Sequence, residues 1–494
     1  MSSVRKLASQ TVYYGLSSIV GRMVNFLMVP IYTYQFSPAA YGVVSDLMAY
    51  TTYFLVLITF GMETAFFRFG DSPEKAGKAY TQSFVAVGFF SISLGLLLTL
   101  FHPQIANALD YTEYRKLFPW LIGTIVLDTL SMIPMARLRY LEKPKRYAII
   151  SLINIFLNIG LNILFLSRGM GIEAVFYAYF FSSAVKLGFA LYQNIPDSWQ
   201  IDFGLMKTML NFGMLIMIAG LAGAINENLD KNLISALWKD GTVYAGKSRT
   251  GTEMTGIYAA CYKLGMFISL VTQAFRYAAE PFFFKQAKEK NSKETFARIF
   301  HYFISICLLL FLFISSFDRE IVGFNFFGLT KATLIDKKYW VGLEIVPVIL
   351  LGNVFLGAYL NLSIWYKITR QARFGILMSG AGAILTILVN VLTIPFWGYM
   401  GSAWATLFCY AGMSILCYII GQQYYPVPYR LERLTIYLLL ALLIIQVNRS
   451  TPESIGLRLL LCFGYAGIMF MLEWKRPLIF RNLGHPSGDA GSTQ

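Results

Sequence analysis

The sequence predicts an all-α membrane protein with about fourteen transmembrane helices. Apolar runs of about 20 residues recur along nearly the whole chain. Only 14% of the 494 residues are charged, against about 25% in a soluble domain, and the mean hydropathy is +0.57. A run of this length crosses about 30 Å of hydrocarbon as a helix that satisfies its own backbone hydrogen bonds. No stretch between the runs is long enough for a separate soluble domain.

The apolar runs place the predicted helices in order along the chain. The first run is too long for a cleavable signal peptide, and it carries Arg22 in its middle. The five cysteines all lie inside apolar runs without the spacing of a metal site or a disulfide framework. We predict helices at residues 12–35, 40–61, 80–101, 118–138, 147–167, 172–193, 207–236, 256–280, 297–317, 341–364, 374–397, 400–421, 434–448 and 455–472.

Lysine and arginine in the connecting loops predict the orientation of these helices. With the N-terminus placed in the cytoplasm, the inside segments hold 24 Lys and Arg residues and the outside loops hold 11. Both termini are therefore expected in the cytoplasm. The formal charge of +15 is then mostly a topology signal. It does not indicate nucleic-acid binding, because no basic groove-forming element is present.

Two halves of the chain resemble each other. Polar residues and glycines recur in the same order at corresponding helix ends, although chance similarity between apolar helices is the alternative explanation. The matching pairs are Glu63–Arg68 with Glu280–Lys285, Arg146-Tyr147 with Arg373-Phe374, and Asn162 with Asn390. The repeat unit has six helices, so the two copies enter the membrane from the same side and form two parallel lobes with a substrate site between them.

This duplication divides the chain into four parts. We predict an N-lobe over residues 1–195 and a C-lobe over residues 196–425. Helices 13 and 14, in residues 426–472, belong to neither copy, and residues 473–494 form a cytoplasmic tail.

Ionisable residues inside the predicted spans are the candidate functional residues, since such groups are costly in hydrocarbon. We predict a cationic cavity formed by Arg22, Lys263 and Arg276, with Asn25 on the same helix face as Arg22. Guanidinium and ammonium groups suit a pyrophosphate ligand. Local ion pairs, Glu227 with Lys231 and Arg276 with Glu280, are the alternative role of such residues.

Three buried-span carboxylates are candidates for ion coupling. Asp46, Asp128 and Asp230 could each bind a coupling cation or a proton. No metal site and no cofactor are expected.

The ordered set of polar, glycine and proline residues resembles one transporter superfamily over about residues 7–425. It is the multidrug/oligosaccharidyl-lipid/polysaccharide exporter superfamily, and specifically its polysaccharide-transporter branch with the O-antigen flippases of the Wzx type. The residues that carry the resemblance are Gly21-Arg22, Asn25, Pro30, Tyr32, Tyr41-Gly42, Asn228, Asp230-Lys231, Gly256, Tyr258, Lys263, Gln273, Arg276, Glu280-Pro281, Asn390 and Gly398–Ala403.

The resemblance implies a V-shaped pair of six-helix lobes that work by alternating access in a bacterial inner membrane. It implies a transporter rather than an enzyme, which moves an undecaprenyl-diphosphate-linked oligosaccharide to the outer leaflet for surface polysaccharide synthesis. The expected partners are this lipid-linked oligosaccharide, membrane lipids, and glycan polymerase and ligase machinery, with no nucleic acid. Lys231 stands where family members often have Arg, which keeps the charge but loses the bidentate fork.

Two other functions stay open at this point. A cation-coupled multidrug exporter of the same superfamily would want a more acidic or apolar cavity and usually only twelve helices. A lipid II flippase is the second alternative. A membrane glycosyltransferase or polymerase is disfavoured, because the chain has neither a catalytic acid cluster nor a large outside loop.

One motif matches a nucleotide-binding pattern in letters only. Residues Gly241 to Ser248 fit the P-loop pattern. A P-loop joins a strand to a helix whose N-terminus faces phosphate, whereas this match falls in a predicted outside loop. We therefore predict no nucleotide partner.

Overall fold

The computed structural model describes residues 21, 23, 26–192, 194–287, 289, 291–325, 333–369, 371, 373–451 and 454–474. The helices within them are α1 Val29–Gln35, α2 Pro38–Thr59, α3 Met62–Phe69, α4 Pro73–Leu100, α5 His102–Ala108, α6 Phe118–Tyr140, α7 Pro144–Ser167, α8 Glu173–Leu191, α9 Phe203–Leu237, α10 Gly251–Tyr262, α11 Met266–Gln286, α12 Ser292–Ser316, α13 Asp318–Gly323, α14 Val346–Leu362, α15 Ile364–Ile368, α16 Arg373–Trp397, α17 Tyr399–Tyr424, α18 Leu431–Ser450 and α19 Ile455–Trp474. Short 3-10 helices add Thr112–Leu117, Lys263–Gly265 and Lys337–Ile345.

Thirteen stretches in the described part of the chain are long and apolar enough to cross a bilayer. They coincide with predicted helices 2 to 14, and most observed ends differ from the predicted ones by only a few residues; the exceptions are the earlier starts of α4, α10 and α12 and the later ends of α3 and α11. The prediction of an all-α, multi-pass membrane protein is confirmed. The first predicted helix, 12–35, falls mainly outside the described residues, and α1 is its described end.

Two interruptions within the spans lie where another helix approaches closely. Phe60 and Gly61 both have positive φ, 50° and 65°, and separate α2 from α3. A Cβ on Gly61 would lie 2.5 Å from the carbonyl oxygen of Gly213 in α9, so only glycine fits there. The 3-10 turn Lys263–Gly265 separates α10 from α11. Such a turn in the middle of a helix often marks a hinge.

The packing of the helices repeats in the two lobes. In the N-lobe, α6 packs on α4 and α8, and α8 packs on α7. In the C-lobe, α14 packs on α12 and α17, and α17 packs on α16, which are the same pairs shifted by six spans. Helices α2 and α10, which occupy equivalent places in the two halves, pack on each other. This arrangement supports the predicted duplication with parallel copies.

The matched asparagines of the two halves also have matching local geometry. Asn162 and Asn390 are both fully buried. The Asn162 amide donates to the carbonyl of Asn158 at 2.9 Å, and the Asn390 amide donates to the carbonyl of Thr386 at 2.8 Å. Each asparagine therefore satisfies its amide in the same way, one turn back along its own helix.

Helices α18 and α19 pack on α12 of the C-lobe and are fastened near both ends by polar contacts. Near one end, the Asn448 amide donates to the Ser316 hydroxyl at 2.8 Å, and Arg458 forms an ion pair with Glu320. Near the other end, Tyr437 donates to Glu473 at 2.9 Å. The charge of Arg458, which lies inside a span, is therefore neutralised locally.

Candidate functional site

A cavity of about 830 Å³ lies between the two lobes. Its N-lobe wall comes from Phe26, helices α1 and α2, and α8; its C-lobe wall comes from α9, α10, α11, α14, α16 and α17. The volume lies within the range of about 300–1,000 Å³ that is typical of ligand sites. The interlobe position is the one that the duplication predicted for the substrate.

All charged side chains that line this cavity, within the part of the chain that the structure describes, belong to the C-lobe. They are Glu227, Lys231, Lys263 and Arg276. Three cations and one carboxylate give this wall a net positive charge. The 13 residues between Lys263 and Arg276 correspond to about 20 Å of helix, so the cationic groups follow the long direction of α11.

The structure brings together two of the four predicted substrate-binding residues. Lys263 lies in the 3-10 turn between α10 and α11, and Arg276 lies on α11, and both side chains are partly buried in the cavity wall. Arg22 and Asn25 lie outside the described residues. The side chain of Glu280, the other member of the alternative ion pair with Arg276, also lies outside them.

Lys231 and Glu227 line the cavity, a placement that sequence reasoning missed. The alternative prediction that these two side chains pair with each other is wrong. The Lys231 ammonium instead lies 3.7 Å from Asp230 and donates to Asn228 Oδ1 at 3.2 Å. The signal was present in the sequence, because Asn226, Glu227 and Lys231 fall on one polar stripe of α9. A stripe alone does not show whether its residues pair with each other or face a cavity.

Asp46, one of the predicted ion-coupling residues, connects the two lobes. The carboxylate is 2% exposed and accepts hydrogen bonds from Tyr111 at 2.5 Å and from the Asn232 amide at 2.7 Å. Asn232 belongs to α9, and its own oxygen accepts from Tyr53 of α2 at 2.9 Å. Hydrogen bonds between neutral donors and Asp46 therefore span the interlobe boundary.

The other two predicted coupling carboxylates have positively charged neighbours in the chain itself. Asp128 of α6 forms an ion pair with Lys186 of α8 at 3.2 Å. Asp230 accepts from the Tyr258 hydroxyl at 2.5 Å and lies near the Lys231 ammonium. Among the described residues, no three or more His, Cys, Asp or Glu side chains cluster to hold a metal ion. Coupling through these carboxylates stays a prediction.

Helices α2 and α10 meet at a seam, which we define by Gly42, Gly256, Asp46 and Asn232. A Cβ on Gly256 would lie 1.9 Å from the carbonyl oxygen of Pro38, and a Cβ on Gly42 would lie 1.7 Å from that of Thr252. Both contacts are with backbone, which side-chain rotation cannot relieve. The two lobes therefore touch backbone to backbone at the end of the cavity where the hairpin described next lies.

The P-loop look-alike folds as a β-hairpin. Strand β1, Val243–Tyr244, pairs antiparallel with β2, Lys247–Ser248. Ala245 and Gly246 at its tip have positive φ, 50° and 77°, as a two-residue hairpin turn requires. The lysine thus lies on a strand, and the following helix starts only at Gly251. This geometry differs from the strand-to-helix loop of a P-loop, as predicted.

The sequence matches one known protein family over more than half of its length. The model of a family described as polysaccharide biosynthesis protein matches residues 7–287, more than half of the chain. The chain belongs to this family. No curated protein matches the sequence.

Three solved structures share the architecture of this family member. The lipid II flippase MurJ, in an inward closed conformation, has a TM-score of 0.73 at 15% identity, over 95% of this chain and 100% of that chain. An inward-facing MATE family multidrug resistance transporter has a TM-score of 0.61 at 14% identity, over 87% and 95%. A point variant of the Vibrio cholerae MATE transporter VcmN has a TM-score of 0.57 at 13% identity, over 85% and 96%.

At these identities the likeness establishes the fold. The protein has the fold of the multidrug/oligosaccharidyl-lipid/polysaccharide exporter superfamily, as the sequence resemblance predicted. It is a multi-pass membrane transporter of a polysaccharide biosynthesis family.

Proposed function

We propose that this transporter flips a polyprenyl-diphosphate-linked oligosaccharide, with undecaprenyl as the lipid, from the inner to the outer leaflet of a bacterial inner membrane. Both termini would then lie in the cytoplasm. The glycan would be delivered to polymerase and ligase machinery on the outer side. Family membership supports a glycan substrate, and the charge of the cavity supports a diphosphate.

The cationic C-lobe wall is the observation that carries this proposal. Lys231, Lys263 and Arg276 face the space between the lobes, where the local dielectric is low and an attraction to phosphate is strong. Among the described residues, these three cations outnumber the two nearby carboxylates, Glu227 in the lining and Asp230 at 3.7 Å from Lys231, so the wall keeps a net positive charge. A cavity for cationic drugs would want the opposite charge, so the multidrug-exporter alternative has less support from these side chains.

A lipid II flippase remains the second candidate, because the structural similarity to the lipid II flippase MurJ extends over 95% of this chain and 100% of that chain. Its substrate belongs to the same chemical class, a polyprenyl diphosphate that carries sugars. The assay that follows accommodates both, since the glycan on the lipid can be exchanged.

Lys263→Ala tests the proposal. In proteoliposomes containing a synthetic undecaprenyl-diphosphate-linked oligosaccharide, we expect wild-type protein to expose the glycan to an added impermeant lectin. A charge-assisted hydrogen bond contributes about 1.5–3 kcal/mol, so Lys263→Ala should lower the flipping rate about tenfold to hundredfold. Lys263→Arg should keep part of the rate because it keeps the charge.

Lys116→Ala, at an exposed lysine of the 3-10 helix Thr112–Leu117, is the matched control and should flip at the wild-type rate. Equal rates for Lys263→Ala and wild type would show that Lys263 of this wall does not bind the diphosphate. Absence of flipping by the wild type with either an oligosaccharide or the lipid II glycan would overturn the proposed function itself.

A further inference from the structure

The two walls of the cavity differ in kind. The described residues of the C-lobe wall include every charged lining group, as given above. The described polar groups of the N-lobe wall are neutral hydroxyls: Tyr32, Tyr41, Ser45, Thr52 and Tyr179. Among the described residues, a substrate that spans the cavity therefore meets positive charge on the C-lobe side and uncharged hydroxyls with aromatic rings on the N-lobe side; Arg22 and Asn25 lie outside these residues.

Hydroxyl groups and aromatic rings suit a neutral, polyhydroxylated ligand. A tyrosine offers an apolar face and a polar tip, and serine, threonine and tyrosine hydroxyls commonly orient ligands in mixed pockets. Each such hydroxyl can both donate and accept, as a sugar hydroxyl requires. None of these side chains repels the diphosphate, but none supplies the charge that would hold it.

Tyr32 of the N-lobe wall is held in a fixed position. The Tyr32 hydroxyl donates to Asn162 Oδ1 at 2.9 Å, and Asn162 is itself fixed by the carbonyl of Asn158. The Tyr32 ring stacks on Phe36 with centroids 5.7 Å apart and lies 6.3 Å from the ring of Tyr41. A wall fixed in this way loses little entropy when a ligand binds.

The tyrosines of the opposite wall are engaged differently. The Tyr410 hydroxyl donates to the carbonyl of Asn226 at 3.4 Å, and the hydroxyls of Tyr359 and Tyr366 lie 3.2 Å apart. Tyr262 packs its ring 5.4 Å from the Lys231 ammonium. These rings support the charged wall.

We propose that the N-lobe wall, with Tyr179, Ser45 and Thr52 around the fixed Tyr32, is the glycan subsite of the cavity, while the C-lobe wall holds the diphosphate. This inference rests on the proposed function. The substrate then binds in one orientation, with its sugars toward α2 and α8 and its phosphates toward α9 and α11. The N-lobe wall decides which glycan is accepted, and the C-lobe wall binds any polyprenyl diphosphate.

The test compares two lipids on the purified full-length protein. The probes are undecaprenyl diphosphate without sugar and the same lipid carrying a neutral hexose disaccharide, with binding measured by native mass spectrometry. We expect Tyr179→Ala to weaken binding of the glycosylated lipid about tenfold and to leave the bare lipid within twofold, since one ring and one hydrogen bond are lost. Tyr179→Phe, which keeps the ring and is safer for folding, should weaken only the glycosylated lipid, by about fivefold.

Two variants of the C-lobe wall serve as controls. Tyr410→Phe, a tyrosine of the other wall, should change binding of the two lipids by the same factor. Lys263→Ala should weaken both. The inference is overturned if Tyr179→Ala and Tyr179→Phe weaken both lipids equally or neither, or if the wild type does not prefer the glycosylated lipid. Wild-type protein that binds neither lipid would instead refute the proposed function on which the inference rests.

Discussion

The seam and the cavity are built from the same helices, α2, α9 and α10–α11, a few turns apart, yet by opposite means. At the seam, backbone touches backbone at Gly42 and Gly256, and the neutral amide of Asn232 donates a hydrogen bond to Asp46. In the cavity, the same elements separate and present long charged side chains such as Lys231 and Lys263.

This difference between the seam and the cavity corresponds to two requirements of a transporter, contact between the lobes and binding of the substrate. Sealing depends on shape, so a single added methyl group should disturb it, while charge matters little. Binding a diphosphate depends on charge, and a cavity of about 830 Å³ tolerates changes in volume. Predictions about the seam therefore concern conformation, and predictions about the cavity concern affinity.

The largest effect is expected from Gly256→Ala. The new methyl group would overlap the Pro38 carbonyl oxygen, and overpacking against backbone costs about 1–3 kcal/mol or more. We expect α2 and α10 to separate, so that a cysteine introduced by Ser45→Cys in the cavity reacts with an impermeant maleimide added at the hairpin end. The native cysteines are all buried and should react slowly.

Gly160→Ala is the matched control for this variant. An added Cβ at Gly160 has no neighbouring atom within 4 Å. Alanine in place of this helical glycine should leave the labelling unchanged and should, if anything, stabilise the helix. Unchanged labelling in Gly256→Ala as well would mean that the glycine contact does not seal the cavity.

A smaller effect is expected from Asn232→Ala. This change leaves the Asp46 carboxylate with one donor fewer and the Tyr53 hydroxyl without its acceptor, at a cost of about 1–3 kcal/mol. The closed seam should lose population by about fivefold to hundredfold relative to an open one, and the labelling rate of the Ser45→Cys cysteine should rise by a similar factor.

The Asp46→Asn variant distinguishes a structural role of Asp46 in the seam from a role in ion coupling. An asparagine keeps an oxygen that can accept from Asn232, so the seam should stay closed and labelling should stay low. If Asp46 binds a coupling cation or proton, transport by the same variant should lose its dependence on the ion gradient. Fast labelling in Asp46→Asn would show that the seam needs the charge of the carboxylate and is not held by hydrogen bonds alone.

No effect is expected from Lys247→Ala. Lys247 is exposed on β2, and its hairpin is anchored to the C-lobe by the Tyr244 hydroxyl, which donates to Glu344 at 2.6 Å. Exposed substitutions of this kind usually change stability by less than about 0.5 kcal/mol. Flipping in proteoliposomes should stay within twofold of wild type. A large loss with unchanged melting temperature would give the hairpin a part in transport.

The fold was largely predictable because hydrophobic length is a local property. Each span after the first was found by its apolar run, and the repeat was found through a few polar residues, Asn162 and Asn390 among them. The breaks at Phe60–Gly61 and at Lys263–Gly265 were missed, since an apolar run reads the same whether or not its helix is interrupted.

The candidate site was predictable only in part. Lys263 and Arg276 were found because a charge inside a span is conspicuous. Lys231 and Glu227 carry the same signal, but their spacing also fits an ion pair within one helix, and only the positions of the neighbouring helices decide between the two. The predicted role of Asp46 in ion coupling stays a prediction, and its hydrogen bonds to Tyr111 and Asn232 were not predictable because these partners come from distant parts of the chain.

The sequence by itself thus determined that the chain crosses the membrane, where it does so, and which superfamily it resembles, because hydrophobicity and order along the chain need no third dimension. The tertiary structure decided which wall of the cavity bears the charge, where the lobes touch, and which carboxylates are engaged. These features depend on how each helix is rotated about its axis and on the distances between helices. Successive side chains on α9 point about 100° apart, so a small rotation of the helix decides whether a given side chain contacts the next helix or faces the cavity.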